Sequence, residues 1–322
     1  MEEIKMLKNY KSFELLEQYL SYLTVIKGRS INTVIEYRTD VLMFFEFLCN
    51  KRNMEREKYD LSMIDNEFVN SITLNDMYAF ISHCQTESKA SAGTRARKIV
   101  SIRQFWKYLK NKARVIDNNV AEDLETPKIP KRIPKYLTLE ESVRLLIASE
   151  FSARNHCIIT IFLNCALRLS ELTSLDVGQV SSDTLQVIGK GNKERKIFLT
   201  SATKKALENW LKEREHIDNA TTALFITKQG QRMTGRSVQD VVKRCIKLAN
   251  LDHKNISVHK LRHTAATLMY QYGKVDIRSL QQILGHESIA TIEIYTHIDE
   301  SQLRTAVNSN PLSGMYGNVM KG

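Results

Sequence analysis

A mainly α-helical fold in two domains, the second carrying a small β-hairpin, is what this sequence predicts. Apolar residues recur at helical spacing through most of its 322 residues. Of its 4 Pro, all but Pro311 fall in one short stretch, Pro127 to Pro134 (PKIPKRIP), which marks a linker. Only Leu185 to Gly189 and Arg195 to Leu199 read as extended, and they flank the Gly/Asn turn Lys190-Gly191-Asn192-Lys193. Single cores rarely grow past roughly 250–300 residues, so two cores suit this length.

The first domain opens on a helical hairpin. Phe13, Leu16, Tyr19, Leu20 and Leu23 share one helical face, Lys27-Gly28-Arg29-Ser30 breaks it, and Val34, Tyr37, Val41 and Phe44 resume the spacing. Ser30 stands where a hydroxyl caps the first turn of the second helix. Further helices are expected from Leu74 and from Ala92. In the second domain Thr138 and Glu141 have the spacing of a capping box. Helices are expected at 139–149, 154–174, 202–214, 237–249, 259–272, 276–284 and 288–298. The expected organisation is a helical domain over 1–120, a basic linker over 121–135, a second domain over 136–305 and a tail over 306–322.

Composition narrows the function. The 47 Lys+Arg against 36 Asp+Glu give a net charge of +11 and point to an extended polyanion, with nucleic acid ahead of an anionic membrane surface. The charge is uneven: between Lys89 and Arg114 there are nine Lys or Arg and no acid. Ile99, Ile102, Phe105 and Trp106 interleave with them, so a helix here buries one face and offers Arg95, Arg97, Lys98 and Arg103 to phosphates. No apolar run approaches the ~20 residues that cross a bilayer, and the start Met-Glu-Glu-Ile-Lys lacks a signal peptide's basic and apolar regions. A cytoplasmic, DNA-associated protein is expected. Five cysteines without a Cys-x-x-Cys pair fit neither a disulfide framework nor a zinc cluster and read as reduced packing residues.

Four islands of the second domain carry chemistry. In Ala166-Leu167-Arg168-Leu169-Ser170-Glu171-Leu172, Arg168 is read as a charge inside an apolar helix, aimed at an anion or paired with Glu171. In the hairpin turn, Lys190 and Lys193 have the reach of a groove contact. In His259-Lys260-Leu261-Arg262-His263, His259 and Arg262 lie one helical turn apart, a spacing that lets an imidazole move a proton beside a guanidinium fork on phosphate. The fourth, Leu284-Gly285-His286-Glu287 through Tyr295-Thr296-His297, offers His286 and Tyr295, whose phenol is a covalent nucleophile toward phosphorus when cations surround it.

In order and spacing the islands resemble the tyrosine recombinase (phage integrase) family, its Xer-like branch in particular. The likeness covers nearly the whole chain, from GRSINTVIEYRTDVLMFFEFL and RARKIVSIRQFWKYL through LTLEE, ALRLSEL, VIGKGNKERKIFL and HKLRHTAATLM to LGHESIATIEIYTHI. It implies a SAM-like core-binding domain and a catalytic domain closing as a C-shaped clamp on duplex DNA. It implies Arg168, Lys190, His259, Arg262, His286 and Tyr295 as the catalytic set, with Tyr295 forming a 3′-phosphotyrosine on the way to a Holliday junction. No cofactor, ATP or metal is implied. The implied partners are double-stranded DNA with a specific recombination site, a homo-tetramer or a hetero-tetramer with a second recombinase, and a DNA translocase or accessory protein; the membrane is none of them. Ala166 departs from the family's usual Gly, and a methyl group there is expected to tighten packing. Chromosome or plasmid dimer resolution is the expected role, since no arm-binding domain is evident. The alternatives are a mobile-element integrase or excisionase, a non-catalytic DNA-binding protein and a type IB topoisomerase.

Overall fold

The structure, a computed structural model, describes residues 12–52, 61, 64–129, 135–189, 194–218, 220–273 and 275–285. The chain divides into two compact units, one up to Lys131 and one from Arg132.

All the regular secondary structure among the first unit's described residues is helical. Its elements are α1 (Glu14–Ser21) running into a π-helical turn (Tyr22–Ile26), α2 (Ile31–Lys51), α3 (Asn66–Asn70), α4 (Leu74–Thr86) and α5 (Ala92–Tyr108), which ends in a second π turn (Leu109–Ala113). The hairpin break behaves as its residues dictate. Gly28 takes a left-handed φ of 55° and the Ser30 hydroxyl accepts from the Thr33 amide to start α2. Periodic apolar faces meet in an aromatic core of Phe13, Tyr19, Phe44, Phe45, Phe80, Phe105 and Trp106, with Phe45 and Trp106 stacked at 6.1 Å. The short α3, started by the Asp65 carboxylate on the Phe68 amide, has no periodic signal long enough to announce it.

The second unit wraps helices around one buried helix. Its elements are α6 (Leu139–Ser149), α7 (Ala153–Cys165), α8 (Leu169–Ser174), β1 (Thr184–Ile188), β2 (Glu194–Phe198), α9 (Ser201–Glu215), α10 (Gly235–Leu248), α11 (Val258–Gly273) and α12 (Ile277–Leu284). Thr138 and Glu141 make the expected capping box. The run Cys157 to Leu163 is apolar because α7 is buried on nearly all sides, with α6, α9 and α11 against it. β1 and β2 pair antiparallel with Leu185 opposite Ile197 and Val187 opposite Arg195. Among the described residues no helix is long and apolar enough to cross a membrane. All five cysteines are buried and free.

One expectation is corrected. The helix read over 154–174 is two helices, α7 and α8, because Ala166 turns left-handed (φ 51°, ψ 36°) and Arg168 is extended (φ −75°, ψ 154°). A left-handed residue ends the hydrogen-bond ladder, and three-residue periodicity does not reveal it when the residue is alanine.

Candidate active site

Arg168 therefore stands at the start of α8 and not inside a helix. Its backbone amide donates to Glu171 Oε2 at 2.8 Å and its Nη1 to Oε1 at 2.9 Å. Glu171 is 3% exposed, so its charge needs more than one partner. Arg195 from β2 supplies a fork, Nη1 to Oε1 and Nη2 to Oε2, each at 2.9 Å. Arg262 from α11 brings Nη1 within 3.9 Å of Oε2. Burial alone would raise the Glu171 carboxyl, but hydrogen bonds from Arg195 and Arg168, with the Arg195 charge, hold it down at about 2. Three guanidiniums around one carboxylate leave an excess of positive charge.

Arg262 is 1% exposed. Its Nη1 donates to the Ala166 carbonyl and its Nη2 to the Leu284 carbonyl, both at 2.5 Å. The methyl of Ala166 is buried among Ala265, Ala266, Leu280 and Leu284, and the residue is also left-handed, which turns its carbonyl to Arg262. Arg195 Nε donates to the neighbouring Ile283 carbonyl at 3.2 Å, so the last carbonyls of α12 are held by two arginines. Gly285 then ends α12 at φ +70°, where an added Cβ would also meet Arg195 Nη1 at 3.2 Å. Glycine meets both demands without strain.

A cleft of about 980 Å³ opens beside this cluster, lined by Arg168, Ser170, Lys243, Lys247, His259 and Arg262 among others. His259 is exposed at the start of α11, its ring edge-on to His263 with centroids 4.5 Å apart. The structure thus brings Arg168, His259 and Arg262 to one cleft. Lys190, Lys193, His286 and Tyr295 lie outside the described residues.

Arg195 escaped the sequence reading, although a signal for it existed. Strand alternation puts it on the same face as buried Ile197, and a charge on the inward face of a strand demands a partner. Glu171 was read only as one possible mate for Arg168; its service to three arginines is invisible in spacing.

The basic helix of the first unit is α5, and its cations have partners that the local charge count missed. Asp40 of α2, fully buried, takes both Nη atoms of Arg97 at 2.5 and 3.0 Å, Lys98 Nζ at 3.0 Å and the Ser101 hydroxyl at 2.7 Å. Lys98 is 5% exposed, so it is a buried ion-pair partner and not a free surface charge. Arg95 donates to the Ala90 carbonyl at 2.6 Å. Arg103 is exposed and lines a cleft of about 410 Å³ with Gln104, Lys107 and Lys110.

Comparison with known proteins joins the two units to one family. The Phage integrase family profile matches residues 135–302, and the profile for its N-terminal SAM-like domain matches 16–113. Tyrosine recombinase XerC of Caldanaerobacter subterraneus subsp. tengcongensis is 46% identical over 321 residues, covering 97% of this chain and 91% of that protein. XerC of Herpetosiphon aurantiacus is 32% identical over 297 residues, covering 89% and 91%. Among solved structures, XerH site-specific recombinase bound to its difH substrate superposes with a TM-score of 0.67 at 25% identity, over 91% of this chain and 83% of that one. The fold, the order of the motifs and these likenesses agree, and this chain belongs to the phage integrase family as an Xer-like tyrosine recombinase, an enzyme that cuts and rejoins DNA strands.

Proposed function

We propose that this protein recombines duplex DNA at a specific site through a covalent bond between Tyr295 and the 3′ phosphate at the cut. The Tyr295 phenolic oxygen bonds to phosphorus as the bond to the 5′ oxygen breaks. Lys190 gives that oxygen its proton and His259 takes the phenol's. Arg168 and Arg262 neutralise the non-bridging oxygens as charge builds, and His286 adds a hydrogen bond to them. The free 5′ hydroxyl of a partner strand then attacks the phosphotyrosine, so the bond energy is kept and no ATP is spent. The observation that carries this reading is the gathering of Arg168, Arg262 and His259, from two separate stretches of chain, at one cleft over a carboxylate held down at about 2.

Four copies assembled on two sites, as a homo-tetramer or with a second recombinase, give the Holliday junction. The lambda integrase tetramer on such a junction shares the fold, with a TM-score of 0.64. Dimer resolution of a chromosome or plasmid is the role favoured by the 46% identity to a XerC. Arg103 with Lys107 and Lys110 is the exposed cationic group suited to DNA phosphates in the first unit.

Tyr295→Phe tests the chemistry, since it removes the hydroxyl and keeps the ring. On a nicked suicide duplex the variant is expected to bind normally and form no covalent adduct on a denaturing gel. An adduct formed by the Phe variant assigns the nucleophile elsewhere.

A further inference from the structure

We propose that Arg195 is a positioning residue of the recombination reaction: it aims Arg168 through Glu171 and fixes the end of α12, without touching DNA. The inference rests on the reading of Arg168 and Arg262 as the groups that grip the reacting phosphate.

The geometry is specific to this side chain. The Arg195 side chain is 13% exposed and does not line the cleft beside Arg168 and Arg262. Its fork spans both oxygens of Glu171, while Glu171 in turn holds the amide and the Nη1 of Arg168. With Nε it also holds the Ile283 carbonyl. One guanidinium therefore ties β2, the start of α8 and the end of α12, three elements far apart in sequence. The two elements it joins to β2 carry, respectively, Arg168 and the Leu284 carbonyl that takes Arg262. In sequence Arg195 also lies five residues after Lys190, and Ile283 three before His286. Its loss frees Glu171 to turn toward the arginines that remain, pulling them off the phosphate. Arg195 does not itself line the cleft, so its loss is expected to fall on the chemical step rather than on affinity. Lysine cannot replace it, because an ammonium has no planar fork for two carboxylate oxygens and a carbonyl together.

The test uses the full chain and two suicide duplexes, one with the normal scissile phosphate and one with a methylphosphonate there. A methylphosphonate has no charge on its non-bridging oxygen, so it relaxes the need for a well-aimed guanidinium. Arg195→Gln and Arg195→Lys are compared with the wild type and with Arg168→Ala by binding, thermal unfolding and single-turnover cleavage. Arg195→Gln is expected to bind within about twofold of the wild type and to cleave the phosphate roughly 10²–10³-fold more slowly, on the scale of one lost charge-stabilising contact. That deficit should shrink at least tenfold on the methylphosphonate, as for Arg168→Ala, and Arg195→Lys should show the same pattern more weakly. A wild-type rate for Arg195→Gln, or an equal deficit on both duplexes, overturns the proposal. If the Gln variant does not fold, the Lys variant decides by the same comparison, and failure of both to fold makes Arg195 a residue of the fold and overturns the proposal. Normal cleavage by Arg168→Ala would refute the reading of the site itself, independently of Arg195.

Discussion

Arg262 donates from Nη1 to the carbonyl oxygen of Ala166, 96 residues earlier, across 2.5 Å. A buried guanidinium is thus anchored by backbone that is available only because the chain leaves the helical path at that residue. The same left-handed turn that separates α7 from α8 sets the direction of Arg262.

This predicts an unusual mutational pattern at Ala166. Replacement by glycine relieves a left-handed alanine, worth roughly 1–2 kcal/mol. It also loses a buried methyl, about 0.8 kcal/mol, and adds freedom to the unfolded chain, about 0.5–1 kcal/mol. The terms cancel, so Ala166→Gly should leave urea stability within about 1 kcal/mol of the wild type. Ala166→Val, which adds β-branching and bulk at a site with no room, should lose more than about 2 kcal/mol.

The depressed Glu171 carboxyl makes a pH prediction. Its usual value of 4.5 applies to the unfolded chain, and about 2 to the folded one. The unfolded state binds the proton first as pH falls. The stabilisation is therefore complete above pH 4.5 and is lost between there and about 2, amounting to about 3 kcal/mol. Glu171→Gln should unfold more easily than the wild type at neutral pH, and the gap between the two should narrow through that window in urea titrations followed by circular dichroism.

Arg103 and Lys98, five residues apart on α5, should separate binding from stability. Arg103→Gln is expected to lower the slope of log affinity against log salt by about 0.9, the loss of one phosphate contact, with no change in unfolding. Lys98→Met is expected to keep the slope and cost about 2 kcal/mol, because it strips a charged hydrogen bond from buried Asp40. Fluorescence anisotropy over a salt series and chemical denaturation read the two effects.

The proposed roles of Lys190 and Lys193 divide by chemistry. The proposed role of Lys190 as general acid predicts that its replacement by alanine slows cleavage roughly 10²–10⁴-fold. Lys193→Ala should cost affinity alone. A duplex with sulfur in place of the 5′ bridging oxygen supplies a leaving group that needs no proton. It should restore the Lys190→Ala enzyme and leave Arg168→Ala impaired; rescue of the Lys193 variant alone would exchange the two roles.

Helices announced by long apolar periodicity were legible in the sequence, apart from the short α3 and the split of α7 from α8, as were the caps at Ser30 and Thr138 and the presence of a hairpin. The helix break at Ala166 was not, since left-handed backbone leaves its mark on composition only when the residue is glycine or asparagine. The catalytic candidates came as a set from likeness, and the structure brings three of them, Arg168, His259 and Arg262, to one cleft. What spacing could not supply was the wiring behind them: Asp40 meets Arg97 and Lys98 from 57 and 58 residues away, and Glu171 meets Arg195 from 24. Local charge counting sees neither, because ion pairs across a fold have no sequence period.

The buried thiols described above carry a practical consequence. Burial pushes Cys49, Cys84 and Cys157 up from the ordinary thiol range, Cys165 to about 12 and Cys245 to about 11. Alkylating reagents attack the thiolate, so at neutral pH all five are nearly inert in the folded chain. The natural protein is already a silent background for maleimide chemistry. A single cysteine introduced at exposed Glu208 accepts one fluorophore without first removing five native residues from two cores.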